Sequence, residues 1–327
     1  MRKALADAMS ERVVLLDGGL ATRLEAQGCD LSGGLWSGRV LLEDPEQVSQ
    51  AHAAFARAGA EVLTTASYQV SAMSLERSGQ DPALEATLLR RSVDVARQVR
   101  DEVAPGGWVA GSVGAYGASL ADGSEYTGEY DLGDATETVR ALRAFHRPRM
   151  EALLDAGADV LACETIPRLA EVSALAAELT GLGAPAWISL TVTTDRHGKP
   201  RTCAGEPLAD VAGCLAGVPG LVAVGVNCCR PRDVRDAVRV LTEATGLPGV
   251  AYPNSGEGWD ARTQRWTGRS EWHTNERNGD PDDDTPAAWV AAGARLVGGC
   301  CRVTPWNIRS LGLALLREGG ATHAVRT

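Results

Sequence analysis

Two pairs of adjacent cysteines are the residues of this chain that could hold a metal ion. Cys300 and Cys301 lie near the end of the sequence, and Cys228 and Cys229 end an earlier apolar run. Zn²⁺ prefers sulfur ligands in a tetrahedron, and a catalytic zinc site keeps one of its four positions open. Cys228, Cys300 and Cys301 would supply three thiolates and leave that position to a substrate. The spacing leaves open whether Cys228 or Cys229 is the ligand, and whether these cysteines are only small buried apolar side chains.

Two carboxylates could bind the amino group of a ligand. Asp17 and Glu164 each lie where an apolar run ends. A carboxylate in that position is partly buried and needs a hydrogen-bonded or charged partner, which a ligand ammonium would supply. Two local roles compete with this interpretation. Asp17 could stabilise a turn or cap a helix, and Glu164 could form a salt bridge with Arg168.

Eight short apolar or β-branched runs alternate with segments of helical periodicity. Strands that alternate with helices pair in parallel, and eight such units predict a closed α/β barrel, the (β/α)₈ or TIM-barrel fold. The alternative is a doubly wound open sheet, but no G-x-G-x-x-G follows the first run. We predict a single domain over residues 1–327. The runs are Val13–Asp17, Glu61–Ser67, Trp108–Gly114, Asp159–Thr165, Ala186–Val192, Leu221–Cys228, Gly249–Asn254 and Ala294–Cys300.

Polar residues gather at the ends of these runs, as an enzyme of this fold requires. The carboxyl ends of the strands of a TIM barrel meet at one mouth, where active sites lie. Two connections at that mouth, Ala115–Gly133 and Ser255–Thr285, are too long for plain turns, so we expect binding loops there. Gly298 and Gly299 could also form a phosphate site, but the cysteines that follow and the lack of a nearby lysine argue against it.

The composition excludes several classes of partner. The net charge is −10, whereas binding to nucleic acid or to an anionic membrane needs a basic face. No run approaches the roughly 18 apolar residues of a membrane span, and no signal peptide is recognisable. Eight cysteines in 327 residues are too sparse for a disulfide scaffold. We therefore expect a reducing, cytoplasmic compartment, where the thiols stay available to a metal.

The motifs at the ends of the runs resemble the zinc-dependent homocysteine S-methyltransferases, and the resemblance extends nearly from end to end. The pair Gly225-Val226-Asn227-Cys228 and Gly298-Gly299-Cys300-Cys301 is its most specific part. Members of that family are (β/α)₈ barrels, which agrees with the number of runs. The other shared motifs are Asp17-Gly18-Gly19, Leu35-Trp36-Ser37, Thr65-Ala66-Ser67-Tyr68-Gln69, Glu164-Thr165 and Tyr252-Pro253-Asn254-Ser255-Gly256-Glu257.

The resemblance implies which residues bind the metal and the substrate. Cys228, Cys300 and Cys301 would hold Zn²⁺. The homocysteine thiolate would take the fourth position and act as the nucleophile, with no catalytic acid or base from the protein. Among the implied substrate-binding residues, two carboxylates would hold the amino group and an aromatic side chain would lie near the donor. The full set of implied substrate-binding residues is Asp17, Gly18, Gly19, Trp36, Thr65, Ser67, Glu164, Asn254 and Glu257.

The methyl donor and the acceptor are less closely determined. Glu164-Thr165 and Tyr252–Glu257 resemble the branch that uses a sulfonium donor, S-methylmethionine or S-adenosylmethionine, and we favour S-methylmethionine. Betaine-using relatives carry an aromatic residue after the glutamate. One alternative is an enzyme that methylates another thiol or a selenol, such as selenocysteine. The other is a non-catalytic barrel that binds zinc or an amino acid. We expect a monomer.

Overall fold

The central sheet of the protein consists of eight parallel strands. They are β1 (Val14–Leu15), β2 (Val62–Thr64), β3 (Trp108–Gly114), β4 (Val160–Ile166), β5 (Ala186–Leu190), β6 (Leu221–Asn227), β7 (Gly249–Tyr252) and β8 (Ala294–Val297). Their order in the sheet is β1-β8-β7-β6-β5-β4-β3-β2. The computed structural model describes residues 2–33, 35–260, 265–267, 270 and 285–317.

The two edges of this sheet meet and close it into a barrel. Leu16 forms a parallel bridge with Val62, and the amide of Glu61 donates a hydrogen bond to the carbonyl of Leu15 at 2.8 Å. These contacts join the first strand to the second, so no edge is left unpaired. The predicted (β/α)₈ barrel is therefore confirmed. The single domain over residues 1–327 stays a prediction, since parts of the chain lie outside the described residues.

One helix precedes the first strand, and the others follow the strands around the outside of the barrel. They are α1 (Leu5–Glu11), α2 (Leu20–Ala26), α3 (Ser37–Glu43), α4 (Pro45–Arg57), α5 (Ala72–Arg77), α6 (Glu85–Val103), α7 (Tyr116–Leu120), α8 (Ala135–Asp155), α9 (Leu169–Leu182), α10 (Leu208–Leu215), α11 (Val234–Thr245), α12 (Pro286–Ala291) and α13 (Pro305–Arg317). Short antiparallel pairs join Val192–Thr194 to Pro200–Thr202 and Gly258–Asp260 to Arg265–Thr267. None of the described helices is long and apolar enough to cross a membrane.

The core has two apolar layers because successive strand residues point to opposite faces. In and just after β1, Val14 and Leu16 belong to the cluster inside the barrel, whereas Leu15 packs in the layer between the sheet and the helices. Helix α1 also contributes Leu5 and Met9 to the inner cluster. It therefore covers the amino end of the barrel and leaves the carboxyl ends of the strands as the open mouth.

All eight predicted runs overlap a strand; the fourth strand extends one residue beyond its run, to Ile166, whereas several others end before their run does. The first run was expected to reach Asp17, and the last to reach Cys300, whereas β1 ends at Leu15 and β8 at Val297. The polar residues at the mouth therefore lie in turns that follow the strands. The predicted loop Ala115–Gly133 contains α7 and a 3₁₀ turn, Ser124–Tyr126. Most of the second predicted loop, Ser255–Thr285, lies outside the described residues.

Candidate active site

Three cysteine sulfurs converge at the mouth of the barrel. The Sγ atom of Cys228 lies 2.8 Å from that of Cys300 and 3.5 Å from that of Cys301, and the last two are 4.0 Å apart. Sulfurs bound to one tetrahedral zinc at about 2.3 Å would be about 3.8 Å apart. The spacing therefore fits three ligands of one ion after a small separation of Cys228 and Cys300. In the part of the chain that the structure describes, these are the residues grouped closely enough to hold a metal.

The turn after β6 decides which of its two cysteines joins this group. Cys228 has a φ of 50°, a left-handed conformation that is uncommon for a residue with a side chain. Its sulfur points to the mouth, whereas Cys229 is buried in the apolar layer outside the barrel. Burial also raises the pKa of the Cys229 thiol well above its usual value. The choice that the spacing left open is thus resolved in favour of Cys228 as the member of the group.

Glycines let the turn after β8 approach its neighbours. A Cβ atom on Gly299 would lie 2.2 Å from Cγ1 of Val303, and one on Gly19 would lie 2.6 Å from the carbonyl oxygen of Cys300. Both distances are shorter than real Cβ contacts, so a side chain at either position would displace the Cys300 turn. The glycines are needed here for space, since neither is among the residues of positive φ.

A cavity of about 130 Å³ lies beside the three sulfurs. Three of the side chains that line it are carboxylates, Asp17, Glu125 and Glu164, and none of the described residues that line it is Lys or Arg. The aromatic residues Trp36, Tyr68, Tyr126 and Tyr252 supply much of the remaining wall. The cavity therefore has the charge and the apolar surface expected of a site for a small cationic group.

The two predicted carboxylates are held at the cavity by neighbouring strands. Asp17 accepts hydrogen bonds from the amide of Thr64 at 2.7 Å and from its hydroxyl at 3.0 Å. Glu164 accepts a hydrogen bond from the hydroxyl of Ser112. Asp17 therefore hydrogen-bonds the end of β2 and does not cap the following helix, since α2 has no side-chain cap. The alternative prediction, a salt bridge between Glu164 and Arg168, is wrong. Arg168 instead donates hydrogen bonds to the carbonyls of Gly128 and Tyr130.

Burial weakens the acidity of all three cavity carboxyl groups. It raises the pKa of Asp17 to about 7, although hydrogen bonds from Thr64 act in the opposite direction. It raises the pKa values of Glu164 and Glu125 to about 7 as well. The Oε2 atom of Glu125 is also buried, with no hydrogen-bond partner in the described part of the chain. A cation bound in the cavity would stabilise the ionised forms of these groups.

The structure brings most of the predicted substrate-binding residues to this cavity, but three lie elsewhere. Gly18, Gly19, Trp36 and Thr65 line it together with Asp17 and Glu164. The hydroxyl of Ser67 is directed into the protein, where it hydrogen-bonds the Thr65 hydroxyl at 2.7 Å and the Ser112 carbonyl at 2.8 Å. The other two, Asn254 and Glu257, line a neighbouring cavity.

Those two residues stabilise the turns that carry the cysteines. The side-chain Nδ2 of Asn254 donates to the Cys228 carbonyl at 3.4 Å. Glu257 accepts hydrogen bonds from Arg302 at 3.1 Å and from the Ser255 hydroxyl at 2.7 Å. They thus support the turns beside the sulfurs from the wall of the neighbouring cavity, and a part in substrate binding stays a prediction for both.

Comparison with known proteins gives the arrangement a family. Residues 14–315 match the profile described as homocysteine S-methyltransferase. The chain belongs to the homocysteine S-methyltransferase family. The homocysteine S-methyltransferase of Escherichia coli (strain K12) is 46% identical over 316 residues, which cover 94% of this chain and 96% of that protein. The resemblance of the motifs is thereby confirmed.

A solved structure and one further relative also bear on the site. The metallated form of the homocysteine methyltransferase MmuM from Escherichia coli has a crystal structure that matches with a TM-score of 0.79. Its sequence identity is 43%, and the match covers 94% of this chain and 98% of that one. A selenocysteine methyltransferase from Astragalus bisulcatus is 36% identical over 324 residues, with 92% of this chain and 91% of that protein covered.

Sequence reasoning missed several residues of the site. Glu125 and Tyr126 come from the loop expected to bind a ligand, whose tyrosines and acidic residues were the available signal. The hydroxyl of Tyr126 lies 3.6 Å from Cys228 Sγ. Asn227 had no assigned role, although it accepts hydrogen bonds from the Thr165 amide at 2.7 Å and the Ser189 hydroxyl at 2.8 Å. It thus ties β6 to β4 and β5 directly below the mouth.

Proposed function

We propose that this protein is a homocysteine S-methyltransferase that forms methionine from homocysteine and a sulfonium methyl donor, with zinc held by Cys228, Cys300 and Cys301. The observation that carries the proposal is the convergence of three sulfurs beside a small cavity lined by carboxylates. Membership of the homocysteine S-methyltransferase family supports the reaction class.

The donor set favours zinc among the biological metals. Three thiolates suit a soft or borderline ion such as Zn²⁺ and do not suit Mg²⁺ or Ca²⁺, which take oxygen ligands. Three protein ligands with a cavity beside them also match a catalytic zinc site, where a fourth position is open. When bound, zinc would lower the pKa of a homocysteine thiol at that position and so supply a thiolate at neutral pH.

The cavity residues would orient homocysteine toward the sulfurs. Asp17 follows β1 and Glu164 lies near the end of β4, two strands further around the barrel from β2, so they face the cavity from separate parts of its wall. Both are less than a tenth exposed. They would pair with the substrate ammonium, which offsets the cost of ionising carboxyl groups in a buried site. Gly18, Gly19 and Thr65 complete the wall around it. This pairing fixes the amino acid at one end while its thiol reaches the cysteine turn.

A cationic methyl donor fits the negative charge that the cavity carries beyond the two carboxylates paired with homocysteine. With Asp17 and Glu164 assigned to the ammonium, Glu125 leaves a third carboxylate in the same cavity, with an oxygen that has no partner among the described residues. In the reaction, the homocysteine sulfur uses a lone pair to form the new S–CH₃ bond. The donor S–CH₃ bond breaks, and its electron pair returns to the donor sulfur, which becomes a neutral thioether. The homocysteine thiol proton is released to the solvent.

One chain can form this site, and its thiols require a reducing compartment. We propose that the protein functions as a monomer, because one chain supplies the three sulfurs and the cavity carboxylates that the reaction requires. The eight cysteines are free thiols, and thiols as close as those of Cys228 and Cys300 stay reduced in the cytoplasm, where we place the protein.

The decisive experiment is a panel of donors and acceptors with purified zinc-loaded protein. Homocysteine is combined in turn with S-methylmethionine, S-adenosylmethionine and betaine, and methionine is measured. We expect turnover with the two sulfonium donors, fastest with S-methylmethionine, and none with betaine. Zinc and homocysteine binding without turnover on any donor would overturn the proposal and favour a non-catalytic barrel.

Selenocysteine is a second candidate acceptor, because a relative 36% identical to this chain is a selenocysteine methyltransferase. The same panel distinguishes the two acceptors when each is varied against S-methylmethionine. We expect a higher kcat/KM for homocysteine. A higher value for selenocysteine would make the second candidate the main activity.

A further inference from the structure

A second and larger cavity adjoins the one beside the sulfurs. Its volume is about 1050 Å³, and Tyr126 and Cys228 line both cavities. The first cavity, at about 130 Å³, is smaller than the roughly 300–1,000 Å³ usual for drug-sized ligands. It therefore has room for one small amino acid. Direct methyl transfer needs both substrates bound at once with their reacting atoms in contact, so the donor requires other space that reaches Cys228.

The charged side chains of the second cavity leave a positive charge available. Its acidic residues have partners: Asp233 accepts a hydrogen bond from the Thr194 hydroxyl at 2.6 Å, and Asp236 lies 3.3 Å from Arg239. Glu257 likewise lies 3.1 Å from Arg302. Asp236 and Glu257 are thereby paired with arginines, whereas the hydroxyl contact of Asp233 leaves its charge uncompensated, and Asp122 also lines the cavity.

Two arginines of the same cavity have no such partners among the described residues. Arg230 and Arg232 flank Pro231 in the turn after β6, and both line the cavity with exposed side chains. Within the described residues, neither guanidinium group has an ion pair or a hydrogen bond. Guanidinium groups recognise carboxylates through paired hydrogen bonds. The second cavity thus offers an anion site a few positions from Cys228 in the sequence. The charged side chains that line the first cavity are, among the described residues, all carboxylates.

We infer that the second cavity binds the methyl donor, a sulfonium amino acid, with its α-carboxylate at Arg230 and Arg232 and its sulfonium methyl at the junction beside Tyr126 and Cys228. This inference rests on the proposed function. Tyr126 lines both cavities, and an aromatic ring at their junction suits the onium charge. The arrangement separates the substrates by charge: the acidic cavity binds the homocysteine ammonium, and the arginine-bearing cavity binds the donor carboxylate.

The first test removes both arginines. The Arg230→Ala/Arg232→Ala protein should show a KM for S-methylmethionine raised by roughly tenfold, because charge-assisted hydrogen bonds of partly solvated groups are lost. The KM for homocysteine and the zinc content should not change. Arg309→Ala removes an exposed arginine of α13 that lines neither cavity, and it should leave all three quantities at the wild-type values. An unchanged donor KM in the double variant would overturn the inference.

The second test removes the carboxylate from the donor. The decarboxylated analogue of S-methylmethionine, an aminopropyl dimethylsulfonium, should bind the wild-type protein roughly tenfold more weakly than S-methylmethionine. In the double variant the two donors should bind alike, and S-adenosylmethionine, which carries the same amino-acid group, should show the same loss. A double variant that still discriminates between the donors would contradict the assignment of the arginines.

Calorimetric titration with S-methylmethionine separates this inference from the proposed function, because it needs no turnover. Donor binding weakened by the double substitution, in a protein that forms no methionine, would refute the proposed function and retain the donor site. Turnover in the wild type with equal donor affinity in the double variant would refute the donor site alone.

Discussion

The sulfur of Cys300 lies 2.8 Å from the sulfur of Cys228, although the two residues are 72 positions apart in the sequence. Strand β7 lies between the strands that carry them, and its end holds both turns. The amide of Cys228 donates to the Tyr252 carbonyl at 3.2 Å, and that of Cys300 donates to the Pro253 carbonyl at 2.8 Å. The end of β7 thus acts as the common support on which the cysteines meet.

Removal of one member of the cysteine group should abolish the metal site. In Cys301→Ser, a hydroxyl replaces one of three thiolates, so we expect zinc content far below one per chain and activity reduced roughly 100-fold or more. Cys214→Ser is the matched control, since that cysteine of α10 lines neither cavity. It should retain zinc and activity. Metal analysis and methionine formation check both variants, and full zinc with full activity in Cys301→Ser would refute the assignment.

Neutralising a cavity carboxylate should weaken homocysteine binding without affecting the metal. Glu164→Gln keeps the shape of the side chain and an acceptor for Ser112 but removes the charge that faces the ammonium. We expect the KM for homocysteine to rise roughly 10- to 100-fold, with zinc content unchanged. Glu178→Gln is the control, because Glu178 pairs with Arg143 and Arg147 on the outer helices. Equal homocysteine KM values in the two variants would contradict the role of Glu164.

The affinity for the amino-acid product should fall as the pH decreases below 7. Burial raises the pKa values of Asp17 and Glu164 to about 7, so acid protonates the groups that pair with the ammonium. Methionine has no thiol to titrate, and its binding can be measured by calorimetry from about pH 5.5 to about pH 8. Near pH 7 binding should also release protons to the buffer. Affinity that increases toward acid pH would exclude these carboxylates as partners.

The same groups affect stability in the opposite direction. Their folded-state pKa values lie above the ordinary values of 3.8 and 4.5. Between pH about 4 and 7 the folded protein therefore binds more protons than the unfolded chain, and the free energy of unfolding decreases as the pH rises. The contribution of Asp17 and Glu164 is fully present below pH 4. It is lost by pH 7 in the ligand-free protein and is regained when an ammonium binds.

The close packing of the Cys300 turn should make Gly299 intolerant of a side chain. Gly299→Ala places a methyl group 2.2 Å from Val303, and such overpacking costs about 1–3 kcal/mol. We expect unfolding at lower urea concentration and a reduced zinc content. Gly213→Ala is the control, since no atom lies within 4 Å of its Cβ position in α10; there alanine should stabilise the helix by about 0.5–1 kcal/mol. Equal urea midpoints for the two variants would contradict this account.

Much of the fold could be predicted from the sequence because strand and helix periodicities are local properties. The eight runs each overlap a strand of the barrel, and β3 begins and ends as predicted, at Trp108 and Gly114. The group of Cys228, Cys300 and Cys301 followed from residue type and from their position at strand ends. Their side-chain directions did not follow, because alternation stops where Cys228 adopts a positive φ.

The remaining details of the site depend on contacts between distant segments. Ser67 shares a motif with Thr65, but its hydroxyl donates a hydrogen bond to a carbonyl of β3 inside the protein. It therefore does not face the cavity. Asn254 and Glu257 lie beyond the end of β7 on the side of the second cavity. Glu125 reaches the first cavity only because the 3₁₀ turn of its loop folds over the mouth. No local pattern encodes these placements.

X-ray absorption at the zinc edge, recorded with and without homocysteine, tests the central claim most directly. The account predicts three sulfur atoms and one lighter atom around zinc in the free protein, with zinc–sulfur distances of about 2.3 Å. Saturation with homocysteine should raise the count to four sulfurs. A count that remains at three while homocysteine is bound, or zinc without sulfur neighbours, would contradict the proposal that the substrate thiolate completes the site of Cys228, Cys300 and Cys301.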